Sequence, residues 1–86
     1  MSEYRIALAK SAVKELDHLD PPIALRVRLG IRRLGQDPRP PGCVKLTGSV
    51  NDWRIRVGDW RVIYTIDDRL RLVDIAAVRH RRDVYR

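Results

Sequence analysis

Apolar and polar residues change their spacing several times along the chain, and each change marks an element. Tyr4-Arg5-Ile6-Ala7-Leu8 alternates with period two and predicts a first strand. From Ser11 the spacing turns helical. Val13, Leu16 and Leu19 mark the apolar side of a short helix, and Ser11 is placed to cap it. Asp20-Pro21 predicts a second helix start: Asp caps, and proline at the first helical position lacks only an N–H that would have no partner there. Ile23, Val27, Ile31 and Leu34 form the apolar stripe of that helix, while Arg26, Arg28, Arg32 and Arg33 lie off it. Gly30 costs the helix about 1 kcal/mol relative to alanine, which points to close packing against a sheet. Gly35 reads as the C-terminal stop, with Pro38 beyond it.

After a stiff loop at 37–42 (DPRPPG) the period returns to two. A short strand is predicted over 44–48, and longer ones over 53–57 and 60–66. Gly58-Asp59 joins the longer pair as a two-residue hairpin loop with glycine at the first turn position. Asp67-Asp68 turns the chain into a last strand over 70–78, and the tail from His80 to Arg86 forms one or two helical turns. The expected fold class is α+β: an N-terminal strand, a helical hairpin, then a mostly antiparallel sheet with a short C-terminal helical tail. Residues 1–86 are expected to form a single domain, since two cores in so short a chain would each be too small.

The hairpin allows a geometric deduction. With Gly58 and Asp59 as the loop, Val57 faces Trp60, Arg56 faces Arg61 and Ile55 faces Val62. Side chains alternate across a strand. Arg54, Arg56 and Arg61 therefore project from one face, and Trp53, Ile55, Val57, Trp60, Val62 and Tyr64 from the other. Arg56 and Arg61 are opposed with Cβ atoms about 5 Å apart, an arrangement that is destabilising unless an anion lies between them. Two readings stand at this point: an anion site, or ordinary exposed arginines with Asp74 of the next strand neutralising Arg61. Trp53 and Trp60 read as core or core-edge residues rather than base-stacking platforms. His18 reads as exposed and Cys43 as incidental.

Charge sharpens the first reading. The chain carries 18 Lys and Arg against 11 Asp and Glu, a formal charge of +7, and 15 of the 18 are arginine. The guanidinium fork grips phosphate bidentately and stacks on bases, which a lysine does not. A polyanion partner is expected, either nucleic acid or an acidic protein that masks the basic surface. The tail Arg79-His80-Arg81-Arg82-Asp83-Val84-Tyr85-Arg86 adds cations, an imidazole and a phenol suited to phosphate binding and proton transfer. No metal or other cofactor is expected: two His and one Cys lack ligand spacing, and the nucleotide-cradling glycine motifs are absent. A lone cysteine, no signal peptide and no membrane-length apolar run predict a cytoplasmic protein without membrane attachment.

Three segments resemble the RelE/ParE superfamily of bacterial type II toxins. They are Lys45-Leu46-Thr47-Gly48, the run from Trp53 to Tyr64 (WRIRVGDWRVIY), and the run from His80 to Arg86 (HRRDVYR). Asp37-Pro38 after a helical hairpin fits as well. The resemblance implies a RelE-like fold, an acidic cognate antitoxin in a toxin–antitoxin hetero-oligomer, and, in the RelE branch, metal-independent cleavage of mRNA in the ribosomal A site. By position it implies catalytic roles for Arg54 and Arg56 on the central strand and for Arg61 at the scissile phosphate. It gives Arg81 to developing charge and Tyr85 to base stacking or proton transfer. Lys45, Arg79, His80 and Arg82 are expected to bind RNA. The best-known members carry lysine at the two strand positions. Arginine there stabilises an anion but is a poor general base, so the base must be Tyr85, His80, the RNA or the ribosome, or nothing specific. Two alternatives remain open: a ParE-type inhibitor that poisons DNA gyrase by protein binding, and a noncatalytic nucleic-acid-binding module.

Overall fold

Gly58 has φ +60° and Asp59 does not share its positive φ, the pattern of a type II′ turn. That turn joins strands whose register matches the deduction: Val57 opposes Trp60, Arg56 opposes Arg61, and Ile55 opposes Val62. The computed structural model describes residues 3–84. Its elements are β1 (Arg5–Leu8), α1 (Lys10–Asp17), α2 (Pro21–Gln36), β2 (Val44–Lys45), β3 (Asp52–Val57), β4 (Trp60–Asp67), β5 (Leu72–His80) and α3 (Arg81–Val84). The five strands form one sheet in the order β1-β5-β4-β3-β2. Every neighbouring pair is antiparallel except β1 and β5, which are parallel, so the sheet is mixed.

The core lies between one face of this sheet and the two helices. Ile55, Val62, Tyr64, Ile66, Val73, Ile75 and Val78 meet Ala12 and Leu16 of α1 and Val27, Ile31 and Leu34 of α2. Gly30 explains itself: a Cβ there would stand 3.0 Å from Val57 Cγ2, so its absence lets α2 sit close on β3. Trp53 and Trp60 pack against the core edge.

Local details differ from the sequence reading for physical reasons. Ser11 lies inside α1, and its hydroxyl donates to Ala76 O at 3.2 Å instead of capping. The buried pair on α1 is Ala12 and Leu16, and Val13 is exposed. Asp20 occupies the N-cap position of α2 but makes no side-chain cap bond. Pro21 and Pro22 take the first two helical positions, so the usual second-position N–H is missing. α2 runs through Gly35 to Gln36. Its stop is Asp37, held extended at φ −145° because a residue before proline is driven out of the helical region. Gly35 instead admits β1, since a Cβ would stand 3.1 Å from Tyr4 O. β2 is only Val44–Lys45, and the last turn extends to Arg71 before β5 begins.

One irregularity shapes the functional face. β5 carries an extra residue, Ala76, where its pairing with β4 shifts between Ile63 and Tyr64. Val73 and Ile75 point to the core before it, and Val78 does so after it. A strand without the bulge would have turned Arg79 to the core side.

The loop after α2 is latched to the β4–β5 turn. Arg39 grips Asp68 through both terminal nitrogens at 3.2 and 3.0 Å, and Tyr4 donates to the same carboxylate at 2.5 Å. These two contacts hold the Asp68 carboxyl below its ordinary pKa, Arg39 first, and the carboxylate in turn raises the Tyr4 phenol. Beneath the loop, Tyr64 is fully buried and donates to Pro38 O at 2.7 Å. Burial pushes its pKa well above that of an ordinary phenol. Among the described residues no helix is long and apolar enough to cross a membrane.

Candidate functional site

The sheet face turned away from the helices carries a row of arginines. Arg56 on β3 stands opposite Arg61 on β4, and Arg61 stands opposite Arg79 on β5. Three guanidinium-bearing positions thus lie side by side across three strands. Arg54 is two residues along β3 on the same face, opposite Ile63. Asp74 sits opposite Thr65, well along β5 from Arg61, so the facing neighbour of Arg61 on that strand is another cation.

The members of the row differ in setting. Arg56 is exposed, and its Nε donates to Gly58 O at 2.9 Å. Arg61 is only 8% exposed at the centre of the row. Arg79 is held from the side by Glu15 of α1, with Nε to Oε2 at 2.6 Å. The other oxygen of Glu15 accepts the Val78 N–H at 2.9 Å. α1 occupies this edge because β1 covers β5 only as far as Ile75. Beyond it, Ser11 and Glu15 satisfy the backbone of Ala76 and Val78. α3 packs on β4 and β5, and the Arg81 N–H donates to Asp59 O at 2.8 Å, which ties the start of α3 to the hairpin loop.

Other expected site residues lie elsewhere. His80 opposes Trp60 on the helix-covered face, with the two rings edge to face at 5.2 Å. Its Nδ1 accepts the Arg82 N–H at 3.3 Å, and Arg82 is exposed. Lys45 opposes Trp53, also on the helix-covered side, with Nζ 6.0 Å from the ring centre. Arg39 lies 5.0 Å from the same ring, so Trp53 is flanked by two cations. Tyr85 falls outside the described residues. Glu15 escaped the sequence reading altogether, because nothing in the spacing of α1 says which strand edge it covers. Arg79 was expected to bind RNA, but its place in line with Arg56 and Arg61 depends on the bulge.

Chemically, the row is a set of fixed cations. Guanidinium groups stay protonated, so they bind phosphate oxygens and stabilise added negative charge but do not remove protons. Like charges in adjacent cross-strand positions repel, and a dianionic ligand relieves that repulsion. Among the described residues no group of three or more His, Cys, Asp or Glu is placed to hold a metal.

The profile of the ParE toxin of type II toxin–antitoxin systems matches residues 6–85. The chain belongs to this toxin family. No curated protein sequence matches it. Among solved structures, the archaeal RelE–RelB complex from Pyrococcus horikoshii OT3 contains a chain 29% identical to this toxin, with a TM-score of 0.81 over 94% of this chain and 97% of that one. The RelBE2 toxin–antitoxin complex from Mycobacterium tuberculosis matches at 27% identity and a TM-score of 0.83, covering 93% of each chain. A mutant of E. coli RelE in the free state shares the fold at 21% identity and a TM-score of 0.79, over 96% of this chain and 90% of that one. The chain is thus a type II toxin of RelE/ParE fold.

Proposed function

We propose that this toxin is a ribosome-dependent, metal-independent endoribonuclease that cleaves mRNA in the A site and so inhibits translation. The observation that carries the reading is the row Arg56–Arg61–Arg79, three cations aligned across the sheet face with no acid in line between them. The RNA 2′-oxygen attacks the adjacent phosphorus in line as its proton leaves, and the 5′-oxygen departs and takes up a proton. The products are a 2′,3′-cyclic phosphate and a 5′-hydroxyl. Arg56 and Arg61 bind the non-bridging oxygens and stabilise the charge that builds on them, the main route by which such fixed donors accelerate reactions. Arg54, Arg79 and Arg82 guide the RNA backbone through sequence-independent attraction. Arg81, at the start of α3, adds charge at the same end of the sheet, and Tyr85 orients or relays a proton. His80 and Lys45, on the other face, contact RNA that wraps past the sheet edge. The ribosome supplies orientation, which can contribute several kcal/mol.

An acidic antitoxin is the proposed partner. The +7 charge calls for one, and structural relatives of the same fold stand in RelE–RelB complexes. Mapping the 5′ ends of mRNA on programmed ribosomes tests the activity. Cuts within the A-site codon support it, and intact message rejects it.

A second reading has its own support. The matching profile is that of ParE toxins, and the strand positions carry arginine where a nuclease would benefit from a base. Gyrase trapped on cleaved DNA, with message uncut, would establish that reading instead.

A further inference from the structure

The two ends of the arginine row are not alike. At the β5 end Glu15 of α1 holds Arg79 and closes the edge. At the other end β3 is uncovered, because β2 pairs with Trp53 and Arg54 and stops short of Arg56. Past that edge lies a groove of about 590 Å³ between β3 and α2, and Arg26, Arg33 and Arg56 all line it. Arg56 therefore belongs both to the row and to the groove. Its Nε donates to Gly58 O at 2.9 Å, and a Cβ on Gly58 would stand 3.7 Å from Arg26 Nη2. The two guanidinium groups thus converge on the hairpin loop, one from the sheet and one from the helix, and both line a smaller cavity of about 250 Å³. Arg33 follows Arg26 by two helical turns, about 10 Å along the axis. Among the described residues Arg26, Arg33 and Arg56 form no ion pair, and no acid lines the larger groove. Asp59 lines the smaller cavity. The direction along the strands is different. On the outer face Asp52 of β3 and Asp74 of β5 stand on either side of Thr65 of β4. They lie about 13 Å from the row, four residues along β3 and β4.

We propose that the RNA strand crosses the sheet along the row and leaves over the uncovered edge of β3 into this groove, where Arg26 and Arg33 hold its next phosphates. The inference rests on the RNA reading of the row given above and adds a second subsite and a direction. Three features select that path. A strand running along β3 and β4 would meet the carboxylates of Asp52 and Asp74, and one leaving at the β5 end would meet Glu15. Toward α2 it meets arginine alone until Asp59. The groove floor of Leu29, Ile55 and Val57 is apolar, so it offers bases and riboses a surface while the arginines take the phosphates. A single strand carries an anion on every residue and so can use Arg61, Arg56, Arg26 and Arg33 in succession. An acidic peptide lodged in the groove would leave most of the row unused.

The test uses the whole chain and a fluorescein-labelled oligouridylate of twelve nucleotides, read by fluorescence anisotropy. The double change Arg26→Ala with Arg33→Ala should weaken binding about ten-fold or more. It should also flatten the slope of log affinity against log salt by about 1.4, two single-strand phosphate contacts. The double change to lysine at the same positions should keep the slope, because it keeps the charge. Two further oligouridylates carry uncharged methylphosphonate linkages, one in its 5′ third and one in its 3′ third. One of them should bind wild type about ten-fold less tightly than the unmodified strand, and the alanine variant should lose less than about two-fold on the same change. A misfolded variant does not single out one end of the strand. The proposal is overturned if the alanine variant binds the unmodified strand like wild type, or if it loses as much as wild type on both modified strands. It is equally overturned if polyglutamate of equal charge displaces the RNA as readily as unlabelled oligouridylate does, since the groove would then suit an acidic protein. If the binding pattern holds but message stays uncut on ribosomes, the nuclease reading fails and the subsite stands. If message is cut and the alanine variant binds like wild type, the subsite fails and the nuclease reading stands.

Discussion

Glu15 holds Arg79 through a 2.6 Å contact while its second oxygen takes the Val78 N–H, so one carboxylate both seals the exposed edge of β5 and restrains the outer member of the arginine row. The two tasks separate by substitution. Glu15→Gln keeps an acceptor for Val78 but removes the charge that competes for Arg79. RNA affinity should rise, and the slope of log affinity against log salt should steepen by about one phosphate contact, about 0.7 for a single strand. Glu15→Ala should in addition cost about 1–2 kcal/mol in urea unfolding, because the Val78 N–H is left without an acceptor. An unchanged salt slope for Glu15→Gln would show that Arg79 takes no part in RNA binding.

Arg61→Ala should slow ribosomal cleavage about 10²–10³-fold, the usual loss when one fixed donor to a developing oxyanion is removed. Arg56→Ala should lose less, since Arg56 is exposed and already shares its Nε with Gly58 O. Arg61→Lys should recover part of the rate, because it restores the charge but not the fork. Single-turnover rates on ribosomes with a filled A-site codon measure all three. If Arg61→Ala cuts at the wild-type rate, the row is not the reacting centre.

Alkali should unfold the protein through Tyr64. The folded state holds this buried phenol protonated well above its ordinary pKa of 10.0, whereas the unfolded state releases the proton near that value. The unfolded chain then binds fewer protons than the folded one, so stability falls as pH rises past about 10. Tyr64 ionisation, followed by ultraviolet absorbance, should coincide with loss of far-ultraviolet circular dichroism rather than precede it. Tyr64→Phe should remove the coincidence at the cost of the bond to Pro38 O. Ionisation of Tyr64 while the fold is intact would contradict this account.

Gly58→Ala tests the turn that sets the register. The added methyl would meet only Arg26 Nη2, at an ordinary 3.7 Å, so the penalty comes from the φ of +60° rather than from a clash. A loss of about 1–2 kcal/mol is expected, which for a domain of this size lowers Tm by about 4–8 °C per kcal/mol. Gly58→Asn should lose less, since asparagine tolerates positive φ better than other residues. Equal melting temperatures for the glycine and alanine forms would refute the turn assignment.

What the sequence made legible was local. Gly58-Asp59 fixes which arginines face each other because a two-residue loop leaves only one register. The stripe from Ile23 to Leu34 announces the buried side of α2, and Gly30 within it announces a close neighbour. The bulge left a fainter trace. Core residues at Val73, Ile75 and Val78 are spaced by two and then three, a break in alternation that only an extra residue explains. The parallel pairing of β1 with β5, the placement of Glu15 on the strand edge and the meeting of Tyr4, Arg39 and Asp68 are contacts between distant segments. No spacing rule within one segment carries them. Asp74 shows the difference: strand order alone places it beside β4, and only the register places it opposite Thr65 rather than Arg61.

The parallel pairing of β1 with β5 also imposes an order in time. Arg5 pairs with Leu72, and Arg79, the last arginine of the row, lies further along the same strand. A ribosome extending the chain at about 5–20 residues per second leaves β1 waiting some seconds for its neighbour. Throughout that wait the row lacks a third of its charge and β1 has no strand to pair with. Contacts this distant in sequence are slow to form, so the arginine row is complete only once β5 has taken its place between β1 and β4.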